Sequence, residues 1–156
     1  MSPTWRYSVK DLDPDKTAKA AGRDLRISPK HAREICKAIR GMKMPKAKEY
    51  LQQVIGKRRS VPFRRHHGGV GHRSDLTGFY AGRYPVKAAR HILRVLEQVE
   101  ANAEYKGLSP EDLKIIHAAA QRGMRIRRYI PRAFGRSSPR FQELTHVEII
   151  VQEVPG

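Results

Sequence analysis

The spacing of apolar residues along the chain predicts a succession of strands and helices. Small and apolar residues partly alternate over 17–27, which is typical of a strand. Apolar residues then recur every three to four positions in three segments, as on one face of a helix. Alternation returns after residue 112 and continues to Val154. The chain is therefore expected to form one strand, three helices and two long strands, in that order.

The three predicted helices have recognisable ends. Ser28 can cap free N–H groups, Pro29 suits a first helical turn, and Gly41 is a natural stop. The second helix is predicted over 45–56 and the third over 85–105. Their apolar faces are Ala32, Ile35, Cys36 and Ile39 in the first, Ala47, Tyr50, Leu51, Val54 and Ile55 in the second, and Val86, Ala89, Leu93, Leu96, Val99 and Ala103 in the third.

The two long extended segments, 113–130 and 141–154, form a predicted hairpin. Residues 131–140 between them hold two prolines, one glycine and two serines, which suit a hairpin tip. On the first arm, Met124, Ile126 and Ile130 alternate with Arg125, Arg127 and Tyr129. A dozen residues per arm extend roughly 40 Å, which is longer than a small domain is wide. The outer half of the hairpin should therefore protrude.

Positive charge is concentrated in the same hairpin. Residues 113–142 carry eight Lys and Arg side chains and no Asp or Glu. Such an array repels itself, so a dense array of negative charge should lie beside it. Nucleic-acid backbone is the commonest such array, and a guanidinium group both pairs with phosphate and stacks on bases. A disordered basic tail is the plainer alternative, but it does not account for the alternating apolar residues.

The overall composition points to the same class of protein. The 156 residues suit one domain with a modest core, and the net charge of +17 exceeds what solubility needs. No apolar run approaches the roughly 20 residues of a membrane span, and residues 1–5 lack the apolar stretch of a signal peptide. We expect a cytoplasmic protein without membrane contact. The single cysteine, Cys36, excludes an internal disulfide and is interpreted as a buried filler rather than a nucleophile.

We expect one domain over 1–156, made of a loosely held lead-in (1–16), a globular part (17–112) and the hairpin (113–154). The globular part includes a glycine-rich loop, 57–84, without sustained periodicity. Its length and its basic residues favour a functional loop. His66, His67 and His72 could suggest a metal site, but the neighbouring arginines and the absence of an adjoining Cys or carboxylate favour RNA contact. No metal or cofactor is expected.

The third predicted helix has its charges in the order that the helix dipole disfavours. It carries Lys87, Arg90 and Arg94 early and Glu97, Glu100 and Glu104 late. A phosphate at its N-terminus would offset that penalty. His117 and His146 are expected to face each other across the hairpin base, packed and hydrogen-bonded. Because no acid, base or metal grouping emerges, we expect no enzyme.

The residues expected to bind RNA share basic or imidazole side chains in the loop, the third helix and the hairpin. They are Lys57, Arg58, Arg59, Arg64, Arg65, His66, His67, Arg73, Lys87, Arg90, Arg122, Arg125, Arg127, Arg128 and Arg140.

Four short motifs occur in a fixed order along the chain. They read RISPKHAR over 26–33, IRG over 39–41, PRAFGR over 131–136 and THVEIIV over 145–151. Each is modest alone, but the ordered set resembles the universal large-subunit ribosomal protein twenty-two family, whose eukaryotic relative is protein seventeen. The resemblance extends from about Thr17 to Glu153.

The resemblance implies an α+β fold of three helices packed on a small antiparallel sheet, with a long protruding β-hairpin. It also implies a constituent of the large ribosomal subunit that binds large-subunit rRNA beside neighbouring ribosomal proteins, without forming a homo-oligomer. The globular part would lie near the opening of the peptide exit tunnel, and the hairpin tip would line the tunnel beside the nascent polypeptide. The tip residues would be Arg132, Ala133, Phe134, Gly135, Arg136, Ser137 and Ser138. The long loop 57–84 and the short C-terminal end favour an archaeal source.

Two functions from other classes remain open. A free-standing nucleic-acid chaperone or architectural DNA-binding protein would share the charge and bind with steep salt dependence. High salt would wash such a protein from large subunits. An RNA-processing enzyme is the weaker rival, since it needs a catalytic grouping in a cleft.

Overall fold

Three helices pack on one face of a three-stranded antiparallel sheet in the computed structural model, which describes residues 5–154. In chain order the elements are β1 (Thr17–Leu25), α1 (Pro29–Ile39), α2 (Met44–Ile55), β2 (Val61–Pro62), β3 (Gly82–Arg83), α3 (Val86–Tyr105), a 3₁₀ turn (Pro110–Asp112), β4 (Leu113–Ile126), β5 (Tyr129–Pro131), β6 (Ser137–Pro139) and β7 (Gln142–Glu153). The α+β fold class expected from the sequence is confirmed.

The central strand of the sheet is β7, which pairs antiparallel with β1 on one side and β4 on the other. Ile149 of β7 lies opposite Ala20 of β1 and Ala118 of β4, and all three side chains are buried. Because the flanking residues are alanines, α3 can approach β1 and α1 can approach β4 closely. The main core fills the space between this sheet face and the helices.

The predicted helices are present, with small differences in their ends and faces. Pro29 opens α1 and Ser28 occupies the N-cap position, but the Ser28 side chain makes no capping hydrogen bond. The second helix begins one residue before Pro45, at Met44. On α3, Ile92 and Val95 are buried although the periodic pattern did not select them. Val86 and Leu93, which it did select, are half-buried.

The connection between α1 and α2 closes the outer edge of β4. The Gly41 N–H donates to the Ile115 carbonyl (2.8 Å), and the Ile115 N–H donates to the Met42 carbonyl (2.9 Å). α1 ends at Ile39, and Gly41, two residues further on, has a φ of +85°, a conformation that favours glycine. The Arg40 guanidinium also donates to the Ala118 carbonyl (2.7 Å). The base of β4 therefore has no open edge along this stretch.

The expectation of a loosely held lead-in is wrong for residues 5–16; residues 1–4 lie outside the described part of the chain. The Ser8 N–H donates to the Glu148 carboxylate (3.3 Å), and the Trp5 ring lies edge-on to His146 with centroids 5.1 Å apart. Residues 5–16 lie over the sheet face opposite the helices, where Glu148 and Ile150 are buried. It is anchored by polar contacts, which apolar periodicity does not reveal.

The hairpin ladder runs from Leu113 opposite Glu153 to Ile126 opposite Gln142, and it resumes between β5 and β6. The last β1 residue paired with β7 is Leu25, opposite Thr145. Beyond that point the hairpin is a two-stranded ribbon, in agreement with the predicted protruding arm. The turn is tighter than predicted. The Arg132 N–H donates to the Arg136 carbonyl (2.8 Å), and Phe134 and Gly135 between them both have positive φ.

The structure contradicts the expectation that His117 and His146 face each other. His117 lies opposite Ile150, and His146 lies opposite Gln121. His117 Nε2 is 2.9 Å from the Glu148 carboxylate, while His146 Nδ1 accepts the Asp24 N–H (3.0 Å). Both imidazoles are hydrogen-bonded, as expected, but to separate partners. The pairing register, shifted by irregularities after Ile115 and Arg122, keeps them apart.

Candidate nucleic-acid interface

The residues selected for RNA binding lie at the surface. Fourteen of the fifteen are exposed and His66 is half-buried. The seven tip residues are likewise exposed, apart from the half-buried Ser138. Some of the selected residues lie on the hairpin ribbon and others line basic grooves. Lys57, Arg58, His67, Arg73 and Arg90 line none of the grooves described below.

The outer hairpin carries charge that the described residues leave uncompensated. Glu143 is close to Arg125 (2.9 Å) and Arg122 (4.0 Å). Within residues 5–154, no carboxylate forms an ion pair with the other arginines of the ribbon, which are Arg127, Arg128, Arg132, Arg136 and Arg140. The ribbon therefore presents a positive surface that requires an external counter-charge.

A groove of about 580 Å³ lies where the hairpin passes the start of α1. Lys87 of α3 and Arg125 of β4 both line it, so the structure brings together two residues from separate predicted segments. Arg26 lines the same groove but was not selected from the sequence. Its position at the head of the RISPKHAR motif is the signal that could have identified it. Glu143 also lines the groove and pairs with Arg125, so Arg26 and Lys87 are the cations left for a phosphate group.

A second groove, of about 420 Å³, lies between the start of α1 and the loop 57–84. Its basic lining is Lys30, His31, Arg65, His66 and Arg83. Burial lowers the pKa of His31, and the neighbouring Arg83 lowers it further. Desolvation also lowers the pKa of His66, and nearby cations add to this effect while Glu34 opposes it. Both imidazoles are therefore biased toward the neutral form, which an anion in the groove would reverse.

A third groove, of about 620 Å³, lies beside α2 and the connection between α1 and α2. It is lined by Lys43, Lys46, Arg59 and Lys114 among other residues. Lys57 and Arg58 adjoin it in sequence at the end of α2 but do not line any of these three grooves. Of the basic residues in this lining, the sequence selected only Arg59, since the lysines are scattered along the chain.

The basic loop is anchored by a buried carboxylate that the sequence did not reveal. Glu34 of α1 is 1% exposed, and its carboxylate accepts the N–H groups of Arg64, Arg65 and His66 at 3.0–3.1 Å. Burial alone would raise the pKa of Glu34, but these hydrogen bonds, together with one from Arg33, hold it below its usual value. The loop is further fixed by Asp75, which accepts the Ser60 N–H (2.7 Å). Two acidic residues thus preorganise a basic segment.

The helix N-termini share an unusual electrostatic pattern. None of α1, α2 and α3 has an acid in its first turn or a side-chain capping hydrogen bond. Their first turns instead hold Lys30, Lys46 and Lys87. Since the helix dipole makes each N-terminus positive, each lysine is repelled by the helix end near it. A bound anion would offset this repulsion.

The grouping most similar to a catalytic triad is Ser8, His117 and Glu148. Ser8 Oγ and Glu148 Oε1 both approach Nε2 of His117, at 3.1 and 2.9 Å. A triad needs the serine and the acid on opposite ring nitrogens, so this grouping serves as a structural latch for the lead-in. Cys36 is buried, and burial raises the pKa of its thiol to about 12, which confirms the interpretation as a packing residue.

Within residues 5–154, no group of three or more His, Cys, Asp or Glu side chains has an arrangement that could hold a metal ion. The helices of this part of the chain are also too short or too polar to cross a membrane.

Basic grooves around an α+β core, together with an exposed arginine-rich ribbon, are typical of proteins that bind nucleic acid. The family model for ribosomal protein L22p/L17e matches residues 20–152. The chain belongs to this ribosomal protein family.

Archaeal relatives agree over nearly the whole length. The chain is 53% identical to large ribosomal subunit protein uL22 of Ignicoccus hospitalis, with 97% of this chain and 99% of the relative covered. It is 53% identical to the protein of the same name from Methanocaldococcus jannaschii, covering 98% and 97%. The protein of that name from Methanopyrus kandleri is 57% identical, with 96% of each chain covered.

Proposed function

We propose that the chain is a structural constituent of the large ribosomal subunit, working in the cytoplasm without catalytic activity of its own. The observation that carries the proposal is the exposed ribbon of residues 122–142, which holds seven arginines and no Asp or Glu. Membership of the ribosomal protein L22p/L17e family supports large-subunit rRNA as the polyanion.

Guanidinium groups on both arms of the ribbon neutralise phosphates that would otherwise repel one another. The three grooves and the uncapped helix N-termini hold further phosphates around the globular part. Segments of rRNA that meet at this protein are thereby held together. Burial of the ribbon among phosphates during assembly offsets the self-repulsion that it carries in the free protein.

The globular part lies near the opening of the peptide exit tunnel, and the hairpin tip lines the tunnel wall beside the nascent polypeptide. The exposed turn at Phe134 and Gly135 suits this position, because the Phe134 side chain is 94% exposed. Neighbouring ribosomal proteins are further partners, and no second copy of this chain is needed. We also propose that the chain is a single domain, since β1 and β7 share one sheet although they lie at opposite ends of the sequence.

Co-sedimentation separates this function from that of a free-standing chaperone. Large subunits assembled with tagged protein are washed in high salt and centrifuged through sucrose. A subunit constituent stays with the particles because its ribbon is enclosed by rRNA. A chaperone or DNA-binding protein held only by surface charge is released, and that result would overturn the proposal.

Placement of the tip needs its own measurement. A photoreactive amino acid at position 134 should cross-link to a stalled nascent chain in translating ribosomes. The same group at position 105, which is also exposed, serves as the control and should give no such product. A tip that cross-links only to rRNA would contradict the tunnel placement and leave subunit membership intact.

A further inference from the structure

Four rings lie together on the loop 57–84: His67, His72, Phe79 and Tyr80, here called the ring cluster. Phe79 and Tyr80 are stacked, with centroids 4.8 Å apart and planes 25° from parallel. The His72 ring lies 4.9 Å from Tyr80, and the His67 ring lies 6.1–6.2 Å from both aromatic rings. His67 and His72 are exposed, and Tyr80 is 49% exposed. These rings are a surface feature and not part of the core.

The backbone beneath the ring cluster is fixed. The Arg73 N–H donates to the Tyr80 carbonyl (2.9 Å), and His72 forms a β-bridge with the buried Ala81. The Phe63 N–H donates to the Ala81 carbonyl (3.0 Å), which ties the segment to the core. A ligand would therefore meet rings whose positions are already set, and little ordering entropy would be lost on binding.

The surroundings of the ring cluster are cationic. The Arg64 guanidinium lies over the Phe79 ring, 5.2 Å from its centroid. Arg73 lies over the Tyr84 ring at 4.9 Å. Exposed rings interleaved with arginines are the combination that proteins use for single-stranded nucleic acid, with the rings stacking on bases and the cations pairing with phosphates. A duplex offers no such contact, because its bases are already stacked on one another.

We infer that the ring cluster is a stacking site for unpaired bases of RNA, with the exposed residues Tyr80 and His72 as the rings that contact the bases. The inference rests on the proposed function, since it assumes that rRNA lies against this loop. It adds a mode of recognition: the loop binds unpaired nucleotides by base stacking as well as by phosphate contact.

The test uses the full chain and a single-stranded adenine oligoribonucleotide containing one 2-aminopurine. Stacking quenches the fluorescence of that base, and the titration gives the affinity. Tyr80→Leu should weaken binding by about fivefold to a hundredfold, because it removes one base–ring contact. Tyr80→Phe keeps the ring and should retain wild-type affinity and quenching. Tyr105→Leu is the matched control, since Tyr105 is 94% exposed and lies outside the cluster.

Salt dependence distinguishes stacking from phosphate contact. The slope of log affinity against log salt should be unchanged in Tyr80→Leu, whereas Arg127→Gln should reduce its magnitude by about 1. A thermal melt checks that each variant folds. His72→Ala is the second variant, and it should weaken both quenching and affinity. Equal affinity and quenching for wild type, Tyr80→Leu and His72→Ala would overturn the inference.

Assembled particles separate the inference from the function on which it rests. Chemical probing of unpaired bases in salt-washed large subunits should show nucleotides that wild type protects and Tyr80→Leu exposes. Loss of wild-type protein in the wash would overturn the proposed function itself. Stable incorporation with identical probing patterns, or cross-links from position 80 only to a neighbouring protein, would overturn the stacking site alone.

Discussion

The two halves of one hairpin differ in what holds them in place. At the base, Leu113, Ile115 and Ala118 are buried beneath α1 and flanked by β7. In the outer half, arginines alternate with apolar residues, and Met124 is 65% exposed. Burial of apolar surface stabilises the base in the free protein, whereas a two-stranded ribbon has little stability of its own in water. The two strands are therefore paired along both halves, but only the base is stabilised by packing in the free protein.

The largest effect on stability is expected at the base. Ile149→Ala should lower the free energy of unfolding by about 2–5 kcal/mol, because the side chain is fully buried between the sheet and the helices. Denaturant titration measures the change. Met124→Ala on the exposed ribbon is the control and should alter the free energy by less than about 0.5 kcal/mol. Similar decreases in the free energy of unfolding at both positions would show that the two halves of the hairpin do not differ in stability.

For RNA binding, substitutions in the outer half of the hairpin are expected to have larger effects than substitutions at the base. Replacing Arg125, Arg127 and Arg128 together by Gln should weaken RNA affinity and incorporation into large subunits, because the ribbon loses three cations. The salt slope should fall in magnitude by about 2–3, while the thermal melting temperature stays at the wild-type value. The same three positions changed to Lys keep the charge and should keep most of the slope. Unchanged incorporation of the Gln variant in high salt would contradict this expectation.

The loop anchor is expected to have an intermediate effect. Glu34→Gln should cost about 1–3 kcal/mol, because one buried amide oxygen replaces a carboxylate that accepts three backbone N–H groups. Hydrogen exchange should locate the loss at residues 64–66. The pKa of Glu34 is lowered in the folded protein, so its stabilisation is complete above the unfolded value of about 4.3 and lost as pH falls through the folded value. The difference between wild type and variant should shrink over that acidic range, and a gap independent of pH would argue against the anchor.

The smallest effect on stability is expected at the tip. Phe134 has a φ of +60° and a ring that is 94% exposed, so Phe134→Gly removes backbone strain without removing packing. The melting temperature should stay level or rise slightly. Passage of nascent chains or macrolide sensitivity should change in ribosomes that carry the variant. A clear drop in melting temperature would show that the tip is part of the folded body.

Local patterns predicted most of the elements, and long-range contacts account for the differences. Helical spacing located α1 and α2 well because each has one apolar face. On α3, the spacing did not select the buried residues Ile92 and Val95, because apolar residues occur on more than one side of this helix. The lead-in was misjudged because Ser8 is held by Glu148, 140 residues away in sequence.

The candidate interface was predictable where basic residues cluster in sequence, as on the ribbon. It was not predictable where folding gathers them, as at Arg26 beside Lys87 and Arg125. The partners of His117 and His146 were also not predictable, because the tight turn and the two ladder irregularities determine which residues of β4 and β7 lie opposite each other. The Glu34 anchor depends on the path of a loop thirty residues later, which no spacing rule specifies.

Because β1 stops opposite Thr145, both edges of the ribbon beyond that point expose backbone donors and acceptors. Such edges invite sheet extension by another copy of the same segment, which is a common route to aggregates. The arginines of the ribbon, which we propose to contact rRNA, also oppose this outcome, since two ribbons of like charge repel. Newly made protein should therefore stay dispersed at low ionic strength and begin to clump as salt screens that repulsion.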